Sequence, residues 1–131
     1  MNINWKPTYI PGDLVYNHKG EVIRITSSYL KGTRLFYYKT DEIGGSIGCI
    51  LEEALKPIPL TPEILEKNGW MLYHMYYWFI SKECLKLRLL KFDNYSWNAC
   101  IGGNVIRINM CSVSDLQHLL FGLGLNSEME V

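Results

Sequence analysis

The side chains best suited to chemistry in this chain are four cysteines, three histidines and one pair of adjacent glutamates. Cys49, Cys84, Cys100 and Cys111 are never closer than eleven positions apart. A structural zinc site draws two ligands from one turn, as in C-x-x-C, and no such pair occurs. A nucleophilic thiol needs an imidazole beside it in an exposed, electropositive setting. Cys111 is the one cysteine placed just ahead of a predicted helix, where the dipole could lower its pKa, but a small apolar residue closing a sheet explains it as well. The thiols are expected to be free and buried or half-buried. His18, His74 and His118 fall in three different predicted elements, so their spacing requests no constellation. Glu52 and Glu53, neighbours on an extended chain, point to opposite faces and cannot share a proton. Gly44-Gly45-Ser46-Ile47-Gly48 lacks the lysine and the following helix of a phosphate loop. The expectation is no catalytic, cofactor-binding or metal site, and no enzyme.

Aromatic side chains are in surplus instead, with nine tyrosines and four tryptophans in 131 residues. Such side chains are favoured at protein interfaces because they offer area at low entropic cost. Tyr77 and Trp78, within the run Tyr73–Ile80, mark a candidate interaction surface, with Lys86, Arg88 and Lys91 on the next strand and Arg107 as a modest basic stripe. The expected partner is another protein, self-association included. Aromatics with basic neighbours can also stack unpaired bases, so nucleic-acid accessory binding is the alternative. It is less favoured because thirteen basic and thirteen acidic residues cancel, and a phosphate grip needs basic excess.

These residues must be positioned by a fold that the patterning describes. Length and a 48% hydrophobic content suit one α+β domain, residues 1–131, with a β-rich half (1–56) and an α+β half (57–131). Pro11-Gly12-Asp13 is a turn leading into Leu14-Val15-Tyr16, and Asn17-His18-Lys19-Gly20 reads as a hairpin loop. Glu21–Thr26 alternates, with Ile23 and Ile25 on one face, and Leu35–Thr40 is the next strand. Leu30–Thr33 is read as a turn, Asp41–Gly48 as a glycine-bearing loop and Ile47–Ile50 as a short strand. Short strands at this spacing suggest a small barrel or curved meander, and the Gly-Asp-x-Val opening resembles the first strand of SH3-like barrels.

Thr61 caps a predicted helix over about 62–68, with Pro62 at its first position and Asn68-Gly69 as its stop. Tyr73–Ile80, apolar on both faces, is expected to be one central strand. Leu85–Leu89, Tyr95–Ile101 and Val105–Met110 complete an antiparallel meander, the last two joined by Gly102-Gly103-Asn104. A second helix, about 113–123, starts at Ser112 with Asp115 three residues on, and Val113, Leu116, Leu119, Leu120 and Leu123 form its apolar face. Asn126–Val131 is polar, acidic and expected to be mobile. The run Met71–Ile80 is about half a bilayer span of ~20 residues and contains His74, so no membrane association is expected. Met1–Trp5 shows no charged segment followed by an apolar one, so a reducing, cytoplasmic compartment is expected.

The motif Pro57-Ile58-Pro59-Leu60-Thr61, the pair Gly69-Trp70 and the segment Leu116-Gln117-His118-Leu119-Leu120-Phe121 resemble a family of short proteins of gut bacteria, frequent among prophage and mobile-element genes. The resemblance spans residues 12–125. This chain carries Ser114 where relatives often have histidine, and Trp70 where many have phenylalanine. The resemblance implies no activity, substrate or cofactor. It does imply a bacterial or phage cytoplasm and supports the element order above.

Overall fold

The computed structural model describes residues 8–31, 35–41, 50–73, 77–79, 86–91, 93 and 96–131; of these, 30, 31, 35–37, 73 and 77–79 are described as backbone. Antiparallel strand is the commonest element among the described residues, in two five-stranded sheets with two helices, an α+β architecture. It divides into two compact units, Met1–Ile58 and Pro59–Val131.

The first unit holds β1 (Leu14–Tyr16), β2 (Val22–Lys31), β3 (Leu35–Thr40), β4 (Ile50–Leu51), a 3-10 turn at Glu52–Ala54 and β5 (Lys56–Pro57), in the order β4-β3-β2-β1-β5. The β1–β2 hairpin forms where the turn residues predict it. Asn17 Oδ1 accepts the amides of Lys19 and Glu21, each at 2.9 Å, and Gly20 takes the left-handed conformation that a Cβ would strain. Ile23 and Ile25 point inward as their alternation requires, joining Tyr9, Val15, Tyr38 and Leu55 in a buried cluster. The segment expected to turn at Leu30-Lys31 still belongs to β2, which pairs as far as Lys31↔Leu35. A register shift between Ile25 and Ser27 bends this long strand. Residues 42–49, where the glycine loop and most of the next strand are expected, lie outside the described residues, and only Ile50 of that strand is seen.

Tyr38 anchors this unit. Its side chain is fully buried, it donates its hydroxyl to Glu52 Oε1 at 2.6 Å, and it accepts the Tyr9 amide at 3.3 Å. The two tyrosine rings meet edge to face at 5.5 Å, a favoured aromatic geometry.

The second unit begins with α1 (Pro62–Lys67). Thr61 Oγ1 accepts the Ile64 amide at 3.3 Å, Pro62 takes the first turn, and Gly69 closes the helix at φ 84°. Leu65 and Trp70 are buried. Strands β6 (Met71–Tyr73), β7 (Tyr77–Phe79), β8 (Leu87–Lys91), β9 (Trp97–Ile101) and β10 (Asn104–Met110) form a meander in sequential order. The expected single strand over Tyr73–Ile80 is instead parts of two strands, paired through Tyr73↔Tyr77 and Leu72↔Trp78. Apart from His74 every residue of this run is apolar or aromatic, so it carries no period-two contrast that could reveal a reversal of direction.

Leu87, Leu89, Trp97, Ala99 and Met110 are buried on the sheet, as are Val113, Leu116 and Leu120 of α2 (Val113–Gly122). Ser112 and Asp115 make a reciprocal capping box, and Asp115 Oδ2 also accepts the Cys111 amide at 2.9 Å. The segment leading into α1 is stitched to the same place by Leu60 N–H to Cys111 O at 3.0 Å. Trp97 Nε1 donates to Leu60 O at 3.2 Å.

The last residues are docked, contrary to the expectation of mobility. Met129 is buried, and Asn68 and Gln117 hold the backbone of Glu130 and Ser127. Polar composition alone had suggested a loose end; one buried thioether and three hydrogen bonds offset that.

Candidate interaction surface

The residues nominated from sequence separate on the structure. Tyr77 and Trp78 lie in β7, between β6 and β8, opposite Leu90 and Leu89 of β8; their side chains lie outside what is described. Lys86 stands exposed just before β8, and Arg88 is exposed opposite Cys100, itself opposite Val105 of β10. These positions share one sheet face. Arg107 is paired with Ala99, whose partner on β8 is the buried Leu89, so it belongs to the other face. A bulge between Val105 and Arg107 makes this switch. The stripe expected from Lys86, Arg88 and Arg107 is therefore split across the sheet. Arg107 also lies 3.9 Å from Asp115.

Among the other candidates, His18 is exposed in its turn, His118 is half-buried on α2, and His74 lies outside the described residues. Cys100 is half-buried, whereas Cys111 is exposed rather than covered. It stands between the buried Met110 and Ser112, and its Sγ donates to Asn109 O at 3.6 Å. Cys49 and Cys84 lie outside the described residues. Among the described residues no three His, Cys, Asp or Glu side chains converge to hold a metal ion.

A different surface stands out, around β10. This strand is one of the two edges of its sheet, and Val105, Ile106 and Ile108 are 56%, 42% and 59% exposed. On the adjoining helix Phe121 is 68% exposed. Between them an open groove of about 300 Å³ is lined by Ile106, Arg107, His118, Leu119, Gly122 and Leu123. Leu119 and Leu123 belong to the apolar face expected on α2, yet both are only half-buried, so the face is wider than the sheet covers. Arg107 and Asp115 place one cation and one anion beside this apolar ground. A second register shift, between Arg107 and Met110, and Asn109 at φ 57° interrupt the edge. Bulges of this kind prevent another strand from adding cleanly, so contact here runs through side chains.

No family model, curated protein or solved structure matches the chain. The geometry of the surface therefore has to carry any functional argument. Exposed apolar area rimmed by polar groups is characteristic of macromolecular contact sites, and Ile106 with Leu119 and Leu123 forms such ground along the groove. Val105-Ile106-Arg107-Ile108 carried a sequence signal for it, since apolar residues at consecutive positions serve both faces of a strand, but exposure depends on the strand lying at the edge.

Proposed function

We propose that this chain is a non-enzymatic protein-interaction module, acting in a bacterial or phage cytoplasm as its resemblance to prophage-associated proteins implies. The observation that carries the reading is the β10–α2 groove lined by Ile106, Leu119 and Leu123, together with the exposed Ile108 and Phe121 on the two elements that form it. The patch is also self-compatible. Phe121 is exposed on the helix that forms one wall of the groove, Arg107 and Asp115 offer opposite charges, and zero net charge removes long-range repulsion between copies. A second copy is thus a partner this surface fits. In the first unit, the strand order β4-β3-β2-β1-β5 with a 3-10 turn leading into the last strand supports an SH3-like reading.

Light scattering on a sizing column, with affinity capture from the native host, tests the module reading. The wild-type chain is expected to self-associate or to recover a defined partner. Ile108→Lys combined with Phe121→Glu is expected to weaken that association at least tenfold while leaving the far-UV spectrum unchanged, because centrally buried interface anchors contribute ~2 kcal/mol or more. A strict monomer that recovers no partner counts against the module. The nucleic-acid alternative rests on the exposed Lys86 and Arg88. Binding that falls steeply with salt, and is lost in the double charge reversal of these two residues, would favour it.

A further inference from the structure

The docking of Asn126–Val131 has the form of peptide recognition rather than of ordinary packing. The segment has no regular secondary structure and pairs with no strand; at its start Asn126 Oδ1 accepts the Glu128 amide at 3.1 Å. Its side chains alternate between covered and exposed: Ser127, Met129 and Val131 are buried or half-buried, and Asn126, Glu128 and Glu130 face solvent. Its backbone is read by two side-chain amides. Asn68 donates Nδ2 to Glu130 O at 2.8 Å and accepts the Glu130 amide on Oδ1 at 2.8 Å. Gln117, itself 3% exposed, donates Nε2 to Ser127 O at 3.1 Å. Asn68 is held in place by a further bond from Nδ2 to Ile64 O at 2.7 Å, so its amide is oriented by α1 as well as by the segment.

A carboxamide that both donates to and accepts from one residue's main chain mimics a sheet partner, and it does so whatever side chain that residue carries. Specificity then falls to the alternate positions, as in strand-like peptide recognition. Here those positions take a small polar residue, then methionine, then a β-branched one. Glu128 and Glu130 point away and contribute solubility rather than selection.

We propose that the surface formed by the end of α1 and by α2 is a recognition slot for a peptide with this Ser-x-Met-x-Val pattern, and that residues 126–131 are its exchangeable occupant in cis. Tethering gives that occupant a high effective concentration, so the slot is closed to weak competitors until the segment is released. The residues used are not those of the β10 patch, and the two surfaces can be tested apart.

The test uses the full-length chain carrying Met129→Asp, which places a charge in the methionine's buried position and releases the segment. A fluorescently labelled peptide of residues 126–131, capped at both ends, is titrated and followed by anisotropy. The variant is expected to bind it at least tenfold more tightly than the wild-type chain, whose slot is filled. Adding Asn68→Ala to the variant should lose at least tenfold, and the same peptide with aspartate for methionine should not bind. Equal binding to wild type and variant, or no binding to either, overturns the proposal. Should Met129→Asp disturb folding, amide exchange on the wild-type chain decides. The Glu130 amide is expected to exchange by local opening at least a hundredfold faster than the amides of β9, and equal protection overturns exchangeability.

Discussion

Trp97→Ala is expected to cost about 3–5 kcal/mol of unfolding free energy, the usual range for deleting a buried indole. Domain stabilities total about 5–15 kcal/mol, so the second unit would be largely lost. Two contributions add here. The ring is 3% exposed on β9, between the positions of Lys91 and Met110, and its Nε1 holds Leu60 O. Trp97→Phe separates them. It keeps most of the apolar volume but leaves a carbonyl of the segment entering α1 without that donor, at a cost of about 1–3 kcal/mol. Urea denaturation followed by circular dichroism measures both, with Phe121→Ala as a control. That side chain is exposed, and its change should stay within about 0.5 kcal/mol. A Trp97→Phe chain as stable as wild type would mean the indole acts by packing alone.

Tyr38→Phe should destabilise the first unit by about 1.5–3 kcal/mol, the range for a hydrogen bond to a charged group. Its 2.6 Å contact to Glu52 is short, as charge-assisted O–H···O⁻ bonds are. The same residue gives a pH signature. Burial, and then the bond to Glu52, hold the hydroxyl protonated well above its ordinary value of 10.0. The folded chain thus keeps a proton that the unfolded chain releases near pH 10. This contribution is complete below that pH and declines above it, by at most about 1.4 kcal/mol per pH unit. Comparing wild type with Tyr38→Phe between pH 9 and 11 isolates the effect. Parallel stability curves would show that Tyr38 ionises as easily in the fold as outside it.

The parts of the fold that were legible in the sequence are those whose cause is local. Thr61-Pro62 and Asn68-Gly69 bound α1 because the cap, the missing N–H and the left-handed stop lie within a few residues of one another. Ser112 with Asp115 announced α2, and Asn17 to Gly20 announced the first hairpin, for the same reason. The reversal inside Tyr73–Ile80 was not legible, since apolar or aromatic residues at every position but His74 erase the contrast that marks a turn. Nor was the docked segment, because Asn68 and Glu130 are 62 positions apart and no pattern links an amide to a distant main chain. Arg107 is exposed, but the bulge that moves it away from Arg88 and towards Asp115 leaves no trace in composition. The exposed apolar set on β10 was read as a strand; that it forms a margin of the sheet is settled only when the whole order of strands is known.

The pairing of β1 with β5 carries a kinetic consequence. It joins Val15 to Pro57, residues near opposite ends of the first unit, whereas β1 with β2 and β2 with β3 join chain neighbours. Closing a long loop before any contact rewards it is entropically slow. The hairpins should therefore assemble early and the β1–β5 seam last, so that a substitution at Pro57 of β5 chiefly hastens unfolding while one at Ile25 slows folding.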